Sequence, residues 1–349
     1  MSQPDFMTAH GPAVISAQLK SQPEHFIVRE CLGFAPDNEG DHMLVVVRKR
    51  GANTLWVEKQ LAKFAKADLR DVGFAGLKDR HAITEQSFTV PSRHLQANDW
   101  LQCKGDGFEV IAAYRQRRKL KRGAHKGNGF EIVLTNVVGD DAALQSRLEK
   151  IKQDGVPNYF GSQRFGRDGN NLSMAREWFE DGKVIEDRHQ RGFALSAARA
   201  FLFNSILQAR IQQGTWNQLL AGDVANLSGS NSVFAVDQVD DVLTRRCNEF
   251  DIHPTGALWG AGESRAKGPV KELEMQIANQ HAAIAQGLCD AGLEQERRAL
   301  RIQVRDLEWK RDADQLTLKF SLTKGAFATA VIAELVGAAA ESLGDDEEA

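Results

Sequence analysis

FAGLKDRHAITEQ, residues 74–86, is the most informative stretch of this sequence. The apolar run that leads into it from Val72 predicts a buried strand, which ends near Gly76 because glycine permits a tight turn. The loop that follows carries Asp79 between Lys78 and Arg80. Neighbouring cations favour the ionised carboxylate and can also hold a polyanion beside it. The residues alone therefore fit either an ordinary surface turn or a reactive carboxylate facing a phosphate-bearing substrate.

Composition indicates a globular protein of the reducing cytoplasm. The chain has 349 residues, of which 42% are hydrophobic, so two domains with sizeable cores are expected. No apolar run is long enough to cross a membrane, and the amino terminus lacks the pattern of a signal peptide. The four cysteines lie far apart without a CxxC pair, which argues against a zinc ribbon or a disulfide framework.

Charge is distributed unevenly along the chain. The formal net charge of −3 argues against a nucleic-acid-binding protein. However, residues 345–348 form an acidic tail that masks a basic strip at residues 115–126. Seven of the twelve residues in that strip are basic: Arg115, Arg117, Arg118, Lys119, Lys121, Arg122 and Lys126. Seen alone, such a strip is usually a solvated face, but it can supply counterion release on binding RNA whatever the total charge.

The first half of the chain predicts an α+β domain built on a largely antiparallel sheet. Strands are expected at residues 26–30, 43–48, 86–90, 108–114 and 130–135. Asn53 or Thr54 is expected to cap one helix, and Asp140 or Asp141 to begin another that ends at Gly155.

The pattern changes after residues 155–157. From residue 171 to about residue 300 the chain is predicted to be mostly helical, with helices at 172–180, 195–213, 239–250 and 270–288 and a glycine-rich turn at 256–262. Strands are expected again at 302–309 and 315–322, followed by an apolar helix at 326–342. Strands on both sides of a helical block indicate an inserted domain.

Several segments together resemble the TruD family of tRNA pseudouridine synthases. GLKD at residues 76–79 resembles the loop that carries the family's essential aspartate. Further blocks occur in the family's order along nearly the whole chain: Lys20 with PEHFIVRE at 23–30, KGNGF at 126–130, VPNYFGSQRFG at 156–166, LSAAR at 195–199 and GAFAT at 325–329.

The resemblance implies an α+β pseudouridine-synthase core with a mainly antiparallel sheet, interrupted by an inserted, largely helical α/β domain. The catalytic domain would comprise residues 1–154 and 304–349, and the insert residues 155–303. The implied activity is isomerisation of a uridine to pseudouridine in RNA, most simply at position 13 of tRNA. This reaction requires neither metal nor small-molecule cofactor. The implied partner is tRNA, and a monomer is expected.

Individual site residues also follow from the resemblance. Asp79 would be the catalytic carboxylate, with Lys20 and Lys78 near it. Phe26, Phe130 and Phe327 would wall the pocket of a flipped-out base, and Asn128 would bind the uracil edge. Seen alone, these aromatic residues are typical of a core, Asn128 of a turn and Lys78 of a surface ion pair. Lys20 and Glu30 are expected to form a structural ion pair.

Three alternatives remain open. The same chemistry could act on a ribosomal or another small RNA. A non-catalytic RNA-binding protein could retain an RNA-binding cleft without turnover, although the intact GLKD loop argues against this alternative. A metal-dependent nuclease would need a carboxylate cluster, for which the sequence offers no convincing candidate.

Overall fold

The computed structural model describes residues 7–80 and 82–336. Within them the chain forms two compact units. The first comprises residues 7–15, 139–304 and 326–336, and the second residues 16–138 and 305–325. The strands are β1 (Ile15–Gln18), β2 (Phe26–Cys31), β3 (His42–Lys49), β4 (Gly73–Phe74), β5 (Ile83–Pro91), β6 (Lys104–Gly105), β7 (Phe108–Gln116), β8 (Gly127–Gly139), β9 (Val156–Pro157), β10 (Val224–Leu227), β11 (Val233–Ala235), β12 (Ile252–Leu258), β13 (Glu296–Ala299), β14 (Arg301–Ile302), β15 (Arg305–Asp312) and β16 (Gln315–Thr323). The α-helices are α1 (Thr54–Ala65), α2 (Ala97–Trp100), α3 (Asp141–Asp154), α4 (Asn170–Asp181), α5 (Arg188–Gln212), α6 (Asp241–Asn248), α7 (Gly268–Gln280), α8 (Ala282–Asp290) and α9 (Ala328–Val336).

The second unit is built on one large sheet. Its strands are ordered β15-β16-β8-β2-β5-β3-β7-β6, and β4 pairs with β5. Neighbouring strands along this path are antiparallel except β2 and β5, which run parallel. The predicted α+β fold with a mainly antiparallel sheet is therefore confirmed.

The two faces of this sheet differ in chemistry. One face carries exposed ion pairs, in which Arg29 lies between Glu85 and Glu131. Because side chains alternate along a strand, Phe26, Val28 and Glu30 of β2 lie on the opposite face. Helix α1 covers part of that face, where its Val57 and Leu61 share a core with strand residues. The covered face is the one that receives the loop containing Asp79.

Helix α1 begins where the sequence predicts. The Asn53 side chain accepts a hydrogen bond of 2.7 Å from Trp56 N, and Lys66 ends the helix in a left-handed conformation. Such a cap satisfies a backbone donor that has no partner within the helix. This fixed start positions Thr54, the first helical residue, against the loop that carries Asp79.

The first unit contains more strands than predicted. A four-stranded sheet of order β11-β10-β12-β13 lies within the segment expected to be mostly helical, and β9 pairs with β14. Strand β12 is buried on both faces, so it lacks the alternating pattern of a half-exposed strand. The long helix α5 packs against this sheet and against α4, α7 and α8 in one core.

Two further boundaries differ from the prediction. The helix expected at residues 270–288 is divided at His281, whose ring packs edge-on against Phe201 with 4.7 Å between ring centroids. The final helix begins at Ala328, and residues 337–342 of its predicted span lie outside the described residues, as does the acidic tail.

The glycine-rich turn predicted at residues 256–262 was wrong in its first half, because Gly256 lies inside β12. A β-carbon on Gly256 would lie 3.0 Å from Leu300 Cδ2 and 3.2 Å from Phe203 Cε2. Both neighbours are fully buried, so neither can move away easily. We expect Gly256→Ala to lower the free energy of unfolding by about 1–2 kcal/mol, measured by denaturant unfolding. Gly161→Ala is the control, since a β-carbon there would meet no atom within 4 Å. Equal stability of both variants would contradict this explanation.

Candidate active site

The loop that carries Asp79 is held by hydrogen bonds from the covered sheet face. After β4 the chain passes Gly76, whose carbonyl accepts a hydrogen bond of 2.5 Å from Gln86 Nε2 on β5. Thr54 Oγ1 accepts one from Lys78 N at 3.1 Å and donates one to Gln86 Oε1 at 3.0 Å. Gly76 itself has no left-handed backbone, and a β-carbon there would meet only His125 Cε1 at 3.6 Å. Side-chain anchors, rather than glycine geometry, therefore define the turn.

The strongest anchor of the loop is Lys49, a residue not anticipated from the sequence. Its side chain is 1% exposed. Its ammonium group donates hydrogen bonds to three carbonyl oxygens, those of Ala52 at 3.0 Å, Lys78 at 3.0 Å and Asp79 at 2.8 Å. The alternation along β3 predicts an inward side chain at this position, which was the available signal.

Asp79 is buried and paired with a lysine distant in sequence. Its side chain is 8% exposed, and Lys20 Nζ donates a hydrogen bond of 2.8 Å to Oδ2. Lys20 adopts a left-handed backbone, and its ammonium group lies 4.7 Å from the centroid of the Phe26 ring. A carboxylate in such a pair is held in place by a charge-assisted hydrogen bond and has restricted access to water.

The two cations adjacent to Asp79 in sequence point elsewhere. Lys78 Nζ lies 2.8 Å from Glu30 Oε1, and these side chains are 6% and 0% exposed. That contact has the distance of an ion pair but lacks hydrogen-bond alignment, while Glu30 Oε2 accepts a hydrogen bond from Ser87 N at 3.1 Å. Arg80 Nε donates to Gly51 O at 3.0 Å. The predicted Lys20–Glu30 pair was therefore wrong: each of the two residues has another partner.

Aromatic side chains line the same face of the sheet. Phe26 and Phe130 are 7% and 8% exposed, and their rings meet edge-on with centroids 6.3 Å apart. Phe130 also stacks on Phe320 of β16 at 5.4 Å. Strand register places Phe130 between Val28 and Phe320. The three rings form a rigid apolar wall whose small exposed part is available to a base.

Asn128 supplies a buried acceptor on this face. Register places it opposite Glu30, and its Oδ1 is buried without a hydrogen-bond partner among the described residues. Thr84 Oγ1, on the same face of the neighbouring β5, is likewise buried and without a partner. Orphaned buried polar atoms are rare and destabilising, so they suit a site that a polar ligand completes.

His125 was not singled out from the sequence, although it directly precedes the KGNGF block. Its Nδ1 is buried without a described partner. Burial lowers the pKa of His125 below its ordinary value of 6.5, Lys78 and Lys324 lower it further, and Glu30 opposes them. The imidazole is consequently neutral at neutral pH beside the loop that carries Asp79.

This shifted pKa makes stability depend on pH. Below about pH 6.5, His125 takes up a proton in the unfolded chain more readily than in the folded protein. The free energy of unfolding therefore decreases as the pH falls, until the pH is below the pKa of His125 in the folded protein. We expect His125→Gln to lose less stability than wild type between about pH 7.5 and 5.5, measured by thermal unfolding. His281 has a pKa also lowered by burial and by Arg176, and it contributes equally in both proteins. Parallel curves for the two proteins would contradict this assignment.

The basic strip serves the structure in part. Arg115 donates hydrogen bonds to the carbonyls of Ser92 and Leu95, and Arg117 pairs with Glu39. Lys119 donates to Arg70 O, and the Arg122 guanidinium lies 3.5 Å from the Phe74 ring centroid. Arg118, Lys121 and Lys126 are exposed, and their side chains have no hydrogen bond or ion pair with the described residues. These three remain available to an anionic ligand.

Phe327 is the one predicted site residue that belongs to the first unit. It precedes α9, and its side chain is 43% exposed. The other predicted site residues all belong to the second unit: Asp79, Lys20, Lys78, Phe26, Phe130 and Asn128. His81, which follows Arg80 in the sequence, lies outside the described residues.

Residues 7–80 and 82–336 contain neither a candidate metal site nor a candidate membrane span. No group of three His, Cys, Asp or Glu side chains there could hold a metal ion. None of the helices in that range is both long and apolar enough to cross a membrane.

Comparison with known proteins establishes the family. The sequence model of the family described as tRNA pseudouridine synthase D (TruD) matches residues 7–179 and 183–335. A protein of Nitrosococcus oceani named tRNA pseudouridine synthase D is 45% identical, with 93% of this chain and 92% of that protein covered. One of the same name from Aeromonas salmonicida is 44% identical, with 94% and 93% covered. In fold, the chain matches the crystal structure of a putative tRNA pseudouridine synthase D (TruD) from Methanosarcina mazei, with a TM-score of 0.75, 20% identity and 95% of each chain covered. This chain belongs to the TruD family of tRNA pseudouridine synthases.

Proposed function

We propose that this protein isomerises uridine to pseudouridine in tRNA, at position 13, with Asp79 as the catalytic carboxylate. Membership of the family supports the reaction and the class of RNA. The observation that carries the role of Asp79 is its environment: a carboxylate that is 8% exposed, bonded to Lys20 at 2.8 Å and set in a loop anchored by Lys49. A surface turn would not immobilise a carboxylate in this way.

The reaction breaks the bond between N1 of uracil and C1′ of ribose and joins C5 to C1′ instead. Such chemistry requires a carboxylate that attacks the sugar or base, or that removes a sugar proton. It also requires a pocket that retains the detached uracil while it turns. Asp79 fits the first requirement, and its carboxylate is held in place by a hydrogen bond from the Lys20 ammonium.

The target uridine must leave its stack before the carboxylate can reach it. The Phe26 and Phe130 rings would then contact its face, and Phe327 is retained as a proposed contact of the RNA. Asn128 Oδ1, an acceptor without a partner in the described residues, matches the N3–H donor of uracil. Lys78 would act through its buried pair with Glu30, which fixes the loop beside the base.

The wider organisation is also part of the proposal. Residues 1–154 and 304–349 would form the catalytic domain and residues 155–303 the insert, whereas the compact units group residues 7–15, 139–154 and 326–336 with the insert. The protein would act as a cytoplasmic monomer without metal or small-molecule cofactor. The same chemistry on a different RNA and a non-catalytic RNA-binding role are the alternatives that the experiment must separate.

The test uses unmodified tRNA transcripts incubated with the purified chain in chelator. Pseudouridine is mapped by carbodiimide labelling and primer extension. We expect a single new stop at position 13, absent from a matched transcript with cytidine at that position. Pseudouridine only at another site would favour a different RNA target. Intact binding without pseudouridine in any transcript would favour the non-catalytic alternative.

A further inference from the structure

The first unit contains a basic cavity that the proposed chemistry does not use. It has a volume of about 520 Å³. Its wall combines the 3₁₀ helix Ser162–Phe165 with the first turns of α5, through Arg164, Arg188, His189, Gly192, Phe193 and Ser196. The cavity lies wholly within one compact unit.

Positive charge is concentrated here without acidic partners. Arg164 and the neighbouring Arg298 lie over the same Phe160 ring, with guanidinium carbons 5.3 Å and 4.1 Å from its centroid. Burial, together with the charge of Arg164, lowers the pKa of Arg298 to about 10. Neither these two arginines nor Arg188 forms an ion pair with a carboxylate in residues 7–80 and 82–336. Crowded guanidinium groups of this kind attract an external anion.

The Arg164 side chain is already oriented for binding. Its Nη1 donates a hydrogen bond of 2.9 Å to Ser196 Oγ on α5. Asp187, the nearest acid in sequence to Arg188, is engaged as the cap of α5 and accepts a hydrogen bond from Gln190 N at 2.7 Å. An anion would therefore meet a guanidinium fork held in position, with little ordering left to do.

Phe193 adds an aromatic surface beside these cations. Its side chain is 48% exposed, whereas Ala194, the next residue of α5, is fully buried in the core. A single exposed apolar residue is ordinary. An exposed ring next to arginines without acidic partners has the composition that single-stranded nucleic acid recognises, since phosphates contact the cations and a base stacks on the ring.

We propose that this cavity binds an unpaired nucleotide of the RNA substrate other than the target uridine, with its phosphate on Arg164 and Arg188 and its base on Phe193. The identity of the ligand as the substrate RNA rests on the proposed function. An unpaired nucleotide is specified because bases within a duplex do not expose their faces.

The test measures the affinity of the full chain for an unmodified tRNA transcript by fluorescence anisotropy at several salt concentrations. We expect Phe193→Ala to weaken binding roughly tenfold. Phe193→Trp, which keeps an aromatic ring, should bind with wild-type affinity. Arg188→Ala should weaken binding several-fold and reduce the slope of log affinity against log salt by about one.

Matched controls lie on α6 of the same unit, where Arg245 and Val242 are exposed. Arg245→Ala and Val242→Ala should bind as wild type. Wild-type affinity of either cavity variant, or an equal loss in the α6 variants, would overturn the proposal. The binding measurement does not depend on turnover. If the wild-type protein formed no pseudouridine but Phe193→Ala still weakened RNA binding, the proposed function would be refuted. The cavity would remain an RNA-binding site.

Discussion

Asp79→Asn is expected to lower the single-turnover rate of pseudouridine formation by about four orders of magnitude or more, a loss typical of removing a covalent or acid–base catalyst. Asparagine has nearly the same shape as aspartate and can still accept a hydrogen bond from Lys20 Nζ, now 2.8 Å from Asp79 Oδ2. It lacks the negative charge needed to attack carbon or remove a proton. The measurement follows pseudouridine in a tRNA transcript at saturating enzyme.

Affinity separates this chemical defect from a binding defect. The amide introduces no new bulk, and loss of a negative charge does not oppose a polyanion, so tRNA should bind within about threefold of wild type. Asp68→Asn is the matched control, because the Asp68 side chain is 68% exposed and pairs only with exposed Arg70. A variant Asp79→Asn that retained more than a tenth of the wild-type rate would remove Asp79 from the catalytic role, whatever its environment.

The sequence predicts the second unit well because its strands carry strong local signals. Strands β2, β3, β7 and β8 coincide with predicted apolar runs, and Asn53 caps the predicted helix. The sheet in the first unit was missed because the fully buried β12, IHPTGAL, contains Pro254 and Gly256 and shows no alternation. The other strands of this sheet have only three or four residues each, too few to show the alternation of a strand.

The partners of the site residues could not be predicted from local sequence. Lys78 and Arg80 flank Asp79, yet the cation at Asp79 is Lys20, 59 residues away. Adjacent side chains in an extended loop point in different directions, so sequence neighbours rarely pair. Which distant side chain meets Asp79 depends on the register of the sheet. Strand β2 provides Glu30, which contacts Lys78, and Phe26, which contacts Lys20. Resemblance to the family identified the residues, and only the fold supplies their pairing.

Lys49→Met is expected to have the second-largest effect, because Lys49 holds the backbone of the loop that carries Asp79. Methionine keeps most of the apolar packing of the lysine side chain, although it is one atom shorter. It removes three hydrogen bonds and leaves the carbonyls of Ala52, Lys78 and Asp79 without that donor. Hydrogen bonds from a buried charged group are strong, so the free energy of unfolding should fall by about 3 kcal/mol. The measurement is denaturant unfolding at constant pH.

Catalysis should fall as well, although Asp79 is unchanged. Two of the three carbonyls belong to Lys78 and Asp79, so Lys49 fixes the backbone from which the carboxylate projects. A displacement of about 1 Å in a reacting group can lower a rate about 100-fold, which is the loss expected in the single-turnover rate where the variant is fully folded. Arg48→Met controls for the adjacent position, because Arg48 is 48% exposed and pairs with Glu85 on the opposite face. If Lys49→Met were unstable but fully active when folded, Lys49 would support the sheet without positioning Asp79, and other anchors such as Thr54 and Gln86 would have to hold the loop.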